Sequence, residues 1–174
     1  MTRGRAVIDD RIGPSGIGDE RQVLRQFLDY QRATLAMKCH DLTDDELRST
    51  AVPTSTLSLL GLVRHLAEVE REWFRHVIAG EDVTLVWSDR RDFQVAYDAS
   101  ASSRSEAFGA WEREVAASRR IEVALESWDV VVPVPRWEED ACVRVIVVHV
   151  LTEYCRHNGH ADLVREAIDG VTGA

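Results

Sequence analysis

Three histidines and a glutamate near one end of the chain have a spacing that a metal ion could use. His149, Glu153, His157 and His160 stand at i, i+4, i+8 and i+11. At about 100° per residue, these positions fall within about 80° of one helix face. Ile146, Val164 and Ala167 share that face, so it should point into a core. Burying several titratable side chains is costly unless they bind an ion or one another. Residues four apart on a helix lie one turn apart, and both can reach one ion, as in HExxH zinc sites. Glu153 with His157 makes one such pair, and His149 with Glu153 an overlapping one. A single helix does not easily supply three ligands in a compact geometry, so a third should come from a facing helix. His65, beside the apolar stripe of an earlier helix, is the candidate, since bundle cores often hold metals between facing helices. The same face also reads as a polar network, with Glu153 accepting hydrogen bonds from His149 and His157.

Other chemically capable residues read more plainly. His40 and His76 fall at helix ends or on the surface. Glu68, Glu70 and Glu72 read as a solvated face, although Glu68 follows His65 by one helical spacing and could stand behind it in an outer shell. Cys155 is rotated about 200° from Glu153 around the helix, so it faces away and reads as a packing cysteine. Arg64 and Arg156 adjoin candidate ligands in sequence but point to other helix faces, as surface ion pairs do.

The elements that must position these residues are helices. From Asp19 onward Val23, Leu24, Phe27, Leu28, Leu35 and Met37 fall mostly at helical spacing. Thr43-Asp44-Asp45-Glu46 is a capping box that opens a short second helix. Pro53-Thr54-Ser55 introduces a long helix to about Ala79, stopped by Gly80, with Leu59, Leu62, Leu66, Val69, Trp73 and Val77 as its stripe. Residues 81–97 read as a connection. Another helix starts at Asp98 or Ser100 and runs to about Leu125, with Ala107, Trp111, Val115 and Ile121 facing the core. Residues 130–135 are extended, but Pro133 and Pro135 confine them to an edge or loop. The last long helix is expected from about Glu139 to Ile168, capped by Asp169-Gly170. Four long helices with little sheet make an all-α, four-helix bundle over residues 19–174. Residues 1–18, rich in glycine and without periodicity, form an extended or mobile N-terminal arm.

Composition narrows the partners. The 174 residues carry 30 acidic against 21 Lys and Arg side chains, a formal charge of −9, which disfavours nucleic acid and a polybasic membrane contact. No apolar run approaches the roughly 20 residues of a membrane helix. Three cysteines without paired spacing fit a reduced, cytoplasmic setting.

Two segments together carry a resemblance. Gly61-Leu62-Val63-Arg64-His65-Leu66-Ala67-Glu68-Val69-Glu70-Arg71-Glu72-Trp73-Phe74 and His149-Val150-Leu151-Thr152-Glu153-Tyr154-Cys155-Arg156-His157-Asn158-Gly159-His160-Ala161-Asp162 resemble the DinB-like superfamily. More closely they resemble its actinobacterial branch of uncharacterised proteins (DUF664). The likeness continues through Gly170 and spans nearly the whole chain after the arm.

The resemblance implies a DinB-like four-helix bundle with a divalent metal on His65, Glu153 and His157, and with His149, His160 and Glu68 as candidates for an outer shell. Glu153 stands where many members have histidine. The set His-Glu-His is similar to that of the mycothiol-dependent maleylpyruvate isomerases, which share the fold. The expected ion is zinc, with nickel as the alternative, and mycothiol is the expected co-substrate. Two histidines and a carboxylate with an open position also form the ligand set of catalytic zinc sites. The implied activity is metal-dependent thiol S-transfer or isomerisation between a small-molecule thiol and an electrophile. A metal-dependent hydrolase, with Glu68 or His160 as base, and a non-catalytic metal-binding stress-response module are the alternatives. Bundles of this superfamily often pair, so a homodimer is compatible with the sequence, although a monomer core accounts for its apolar residues.

Overall fold

The computed structural model describes residues 9–89 and 92–172. Its long helices are α1 (Glu20–Lys38), α3 (Leu59–Glu70), α4 (Arg104–Ala124) and α5 (Val143–Asp169), with a short α2 (Asp44–Arg48) between the first two. α3 packs against both α4 and α5, and α1 against α5. Together they make the all-α bundle that the periodicity predicts. No helix among the described residues is long and apolar enough to cross a membrane.

Helix starts are set by side-chain caps. Asp19, Thr43, Ser58 and Ser103 each accept a first-turn backbone N–H, and Thr43 with Glu46 completes the expected capping box. Two starts therefore fall later than the sequence reading put them. α3 opens after Ser58 rather than at Pro53-Thr54-Ser55, and α4 after Ser103 rather than at Asp98 or Ser100.

The stripe Leu59, Leu62, Leu66, Val69, Trp73 and Val77 is buried throughout. It does not run along one uniform helix. From Arg71 to Ile78 the hydrogen bonding is π-helical, with Ala79 N donating to Phe74 O at 2.9 Å.

The expected start of the last helix at Glu139 is corrected. Glu139–Cys142 is a strand, β2, pairing antiparallel with β1 (Val131–Val134) in the register Val131 to Cys142 and Val134 to Glu139. A one-turn 3-10 helix, Pro135–Trp137, closes the hairpin, with Glu138 in the left-handed region at φ 57°. The residues leading into the hairpin also cap α5. Cys142 offers no side-chain cap, and the N–H groups of Val143 and Arg144 donate instead to the carbonyls of Val130 and Trp128 at 2.9 and 3.0 Å.

Residues 9–18 carry no helix or strand. They are tied to α1: Arg11 donates to Thr34 Oγ1 at 2.9 Å and covers the Tyr30 ring, and Ser15 N donates to Gln26 Oε1 at 2.6 Å. Residues 1–8 of the expected arm lie outside the described residues.

The run Glu68, Glu70 and Glu72 is buried, not solvated. Glu70 explains why. Its carboxylate takes two hydrogen bonds from the Arg32 guanidinium, at 2.8 and 2.9 Å, and one from the Tyr154 hydroxyl at 2.8 Å. Trp111 Nε1 in turn donates to that hydroxyl at 2.7 Å. A carboxylate with three donors from α1 and α5 can be buried where an unpartnered one cannot.

Candidate metal centre

Each of the three ligand candidates reaches the centre through its own local cause. His65 lies midway along α3 and is 8% exposed. Glu153 and His157 are one turn apart on α5 and face it. Each of the three offers one ligand atom, and these atoms all lie within 4.8 Å of one another. His65 Nε2 is 3.5 Å from Glu153 Oε2, and His157 Nε2 is 3.3 Å from the same oxygen. An ion bound at about 2.0–2.1 Å in tetrahedral geometry holds its ligand atoms about 3.3 Å apart. The two separations from Glu153 Oε2 are close to that edge length.

Hydrogen bonding points the same way. Both ring nitrogens of His65 are buried without a hydrogen-bond partner among the described residues. A buried imidazole left unsatisfied is costly unless a ligand takes its lone pair. Burial pushes the pKa of His65 down, assisted by the neighbouring His157 and opposed by Glu153. The two imidazoles beside Glu153 hold its carboxyl well below the usual carboxylate range despite half-burial. A neutral His65 and an ionised Glu153 are the protonation states a cation requires. The residues present therefore fit a divalent metal, with His65, Glu153 and His157 as the ligands.

Around them the chain builds a cleft of about 370 Å³. Tyr97 forms one wall: its ring stacks on His65 at 4.5 Å and its hydroxyl lies 3.3 Å from His157 Nε2. Burial, then Glu153, pushes the Tyr97 pKa far up, so the hydroxyl keeps its proton. Tyr97 ends a 3-10 turn, Phe93–Tyr97, whose start is capped by Asp92. Two contacts with α3 fix this turn. Gly61 leaves room for it, since a Cβ there would lie 2.5 Å from Tyr97 O. Arg64 donates to the carbonyl of Asp98 and lies under Trp87, 4.6 Å from the ring centroid. Arg64 is thus buried and structural, not the surface ion pair expected from sequence.

The outer-shell candidates divide. His160 lines the cleft, and its Nδ1 is 3.3 Å from His157 Nδ1. That contact fixes the His157 ring from behind and leaves Nε2 facing the cluster. His149 also lines the cleft, set edge-on against the indoles of Trp73 at 4.5 Å and Trp137 at 5.2 Å. Burial lowers the pKa of both. Glu68 does not join them. Its Oε1 accepts the backbone N–H groups of Trp87 and Ser88 at 2.7 and 3.0 Å, anchoring that loop.

Cys155 is exposed on α5, so it is not the packing residue expected. Arg156, exposed and 3.6 Å from Glu153 Oε1, is the ion pair expected, but it also lines the cleft. Arg136, from the hairpin turn, lines the opposite rim and stacks over Phe93 at 4.4 Å.

Neither Tyr97 nor Arg136 is marked by the sequence reading. Both come from one-turn helices too short to show a period, and only the tertiary fold brings them to the cleft.

With this geometry established, comparison with known proteins places the chain. The family model for mycothiol-S-transferase matches residues 23–170. The chain belongs to the mycothiol S-transferase family. That family is DinB-like, so the resemblance seen in the sequence holds at this level. The matched span contains all three ligand candidates and both walls of the cleft. A crystal structure of a conserved protein from Enterococcus faecalis is similar in fold, with a TM-score of 0.64. It is 14% identical, and the match covers 89% of this chain and 100% of the other. No curated protein matches the sequence.

Proposed function

We propose that the protein is a divalent-metal-dependent thiol S-transferase that joins mycothiol to a small electrophile, with zinc held by His65, Glu153 and His157. The observation that carries this reading is the buried His-Glu-His cluster with ligand atoms within 4.8 Å of one another, in a chain of the mycothiol S-transferase family. Nickel is the alternative ion.

When bound, the ion supplies Lewis-acid activation, lowering the pKa of a thiol so that the nucleophilic thiolate exists at neutral pH. The protein's residues do the rest. His65, Glu153 and His157 would hold the ion, and with one carboxylate among the three ligands they would leave part of its charge uncompensated. The Tyr97 hydroxyl, held beside His157 Nε2, is placed to donate a hydrogen bond to the sulfur. Trp73, Phe93 and Tyr97 give the cleft an aromatic lining that helps to exclude water from the reacting pair. In the reaction the thiol proton is lost to solvent and the sulfur forms a bond to the electrophilic carbon. The leaving group departs with its bonding pair, so thiol and R–X become thioether and HX. The hydrolase alternative is weakened at one of its two candidate bases, because Glu68 does not line the cleft and its Oε1 accepts loop N–H groups.

Elemental analysis of untagged protein tests the metal, and consumption of mycothiol with a haloalkyl bimane tests the chemistry. The expected result is near-stoichiometric zinc or nickel, metal-dependent loss of free thiol, and loss of both in His65→Ala and His157→Ala. Protein that takes up no divalent ion on dialysis, or a loaded protein that consumes no thiol, would overturn the reading.

A further inference from the structure

Tyr97 contacts both histidines of the metal centre. Its ring stacks on His65 at 4.5 Å, nearly parallel at 16°, and its hydroxyl lies 3.3 Å from His157 Nε2. Glu153 Oε2 lies at the same 3.3 Å from that nitrogen. Two oxygens, one from a candidate ligand and one from a phenol, therefore stand equally far from one ligand atom.

In the chain without an ion, the hydroxyl and Nε2 can share a hydrogen bond, and Nε2 is the hydroxyl's one such partner among the described residues. Coordination removes that option. A histidine ligates as the neutral ring, and the lone pair it gives to the ion is the one a hydroxyl would donate to. Once loaded, Nε2 is neither donor nor acceptor. The phenol is nevertheless held in place. The Tyr97 carbonyl packs on Gly61, and the next carbonyl, that of Asp98, accepts from Arg64. Gly61, Arg64 and His65 all belong to α3, so one helix positions both the phenol and the first ligand. What the hydroxyl has left to offer is its oxygen lone pairs, and three protein ligands leave a tetrahedral ion one position short.

We propose that the Tyr97 oxygen is a fourth, displaceable protein ligand, filling the open position of the His65, Glu153 and His157 set until a thiol takes it. The proposal rests on the metal-centre reading above and goes beyond it. An oxygen lone pair makes the bond, and the hydroxyl keeps its proton. A neutral hydroxyl is a weaker and harder ligand than a thiolate, so sulfur displaces it from a borderline-soft ion such as zinc, whereas water meets a position already filled. The released hydroxyl is then the group that donates to the bound sulfur. The resting site is thereby closed to hydrolysis and to small anions, and the co-substrate itself opens it.

The test uses zinc-loaded, full-length protein without thiol. Its crystal structure is expected to place the Tyr97 oxygen at the roughly 2.0–2.2 Å of a zinc–oxygen bond. A water in that position, with Tyr97 outside it, would overturn the proposal. A solution measurement reads the same position: cobalt(II)-loaded wild type and Tyr97→Phe are titrated with azide and followed by the visible spectrum of the ion. The variant should bind azide about tenfold more tightly, because in wild type the position is free only part of the time. Equal azide affinity in the two proteins would overturn the proposal. Phenylalanine keeps a ring against His65, and the crystal measurement on wild type stands whether or not the variant holds its ion. Protein that takes up no divalent ion removes the metal centre and this proposal together, whereas loaded protein with water in the fourth position removes the Tyr97 ligand alone.

Discussion

Two buried polar clusters are built on α3 and α5, and they solve the same problem differently. At Glu70, one carboxylate meets Arg32, Tyr154 and, through Tyr154, Trp111, and every contact is a hydrogen bond of 2.7–2.9 Å within the chain. At His65, one turn and a half earlier, the carboxylate of Glu153 lies 3.5 Å away and the ring nitrogens meet no hydrogen-bond partner among the described residues. The first cluster is self-sufficient and closes the core across α1, α3, α4 and α5. The second leaves the His65 nitrogens without a partner among the described residues. Buried polarity by itself therefore does not mark a functional site; buried polarity with unclaimed lone pairs does.

The contrast can be broken most forcefully at Glu70. Replacing it with alanine takes the two-point partner from the buried Arg32 guanidinium, leaving it Asp29 at 3.0 Å and Glu122 at 3.4 Å, and should cost up to about 3–5 kcal/mol of stability, read by urea denaturation. Metal affinity of the folded fraction should stay as in wild type. If stability holds, the network is not the structural element it is taken for here.

A smaller effect is expected at Gly61→Ala. The added Cβ meets Tyr97 O at 2.5 Å, so the 3-10 turn must move, at a cost of about 1–3 kcal/mol for overpacking. The signature separating this from a general loss is a weaker metal and thiol site at temperatures well below the new Tm.

His160→Ala tests how far the second cluster depends on support behind its ligands. Removing the group behind His157 should weaken metal binding about 10–100-fold, measured by competition with a chelating dye, with little change in unfolding. Unchanged affinity would show that the 3.3 Å contact does not orient the ring.

The mildest effect concerns pH. His149 has its pKa lowered by burial among indoles, so the folded state favours the neutral ring. Its contribution to stability is present above about pH 6.5, the unfolded value, and is lost as pH falls through the folded value. Metal-free protein should therefore lose stability between pH 7 and 5, and His149→Gln should flatten that slope. Arg32, held in its charged form by Glu70 against the opposing effect of burial, adds nothing over this range.

The sequence made the second cluster easier to find than the first. The i, i+4 pair Glu153 and His157 and the helical stripe around His65 are local patterns, and the fold brings them together. Asp19, the Thr43 capping box and the Gly170 stop were legible for the same reason. Glu70 was not, because its partner Arg32 lies 38 residues away and a run of alternating glutamates reads as solvated until that partner is known. The hairpin was missed because β2, Glu-Asp-Ala-Cys, has no strand-like composition and gains its structure from pairing with β1. Phe27, one of the apolar residues at helical spacing in α1, is 42% exposed, a reminder that a position on a stripe's margin can fall outside the core.

The π-helical stretch Arg71–Ile78 has a consequence for how this gene can change length. A π-turn carries one residue more than the α-helical turn it replaces. Deleting a single codon there would let the segment revert to ordinary α-helical hydrogen bonding, with no strain in the backbone itself. The residues beyond the deleted one then keep their phase, so Val77 and Ile78 stay on the buried face they now occupy. An inserted codon has no such outlet: unless a further wide turn forms, everything beyond it turns by about 100°. The stretch from Arg71 to Ile78 should therefore tolerate the loss of one residue better than the gain of one.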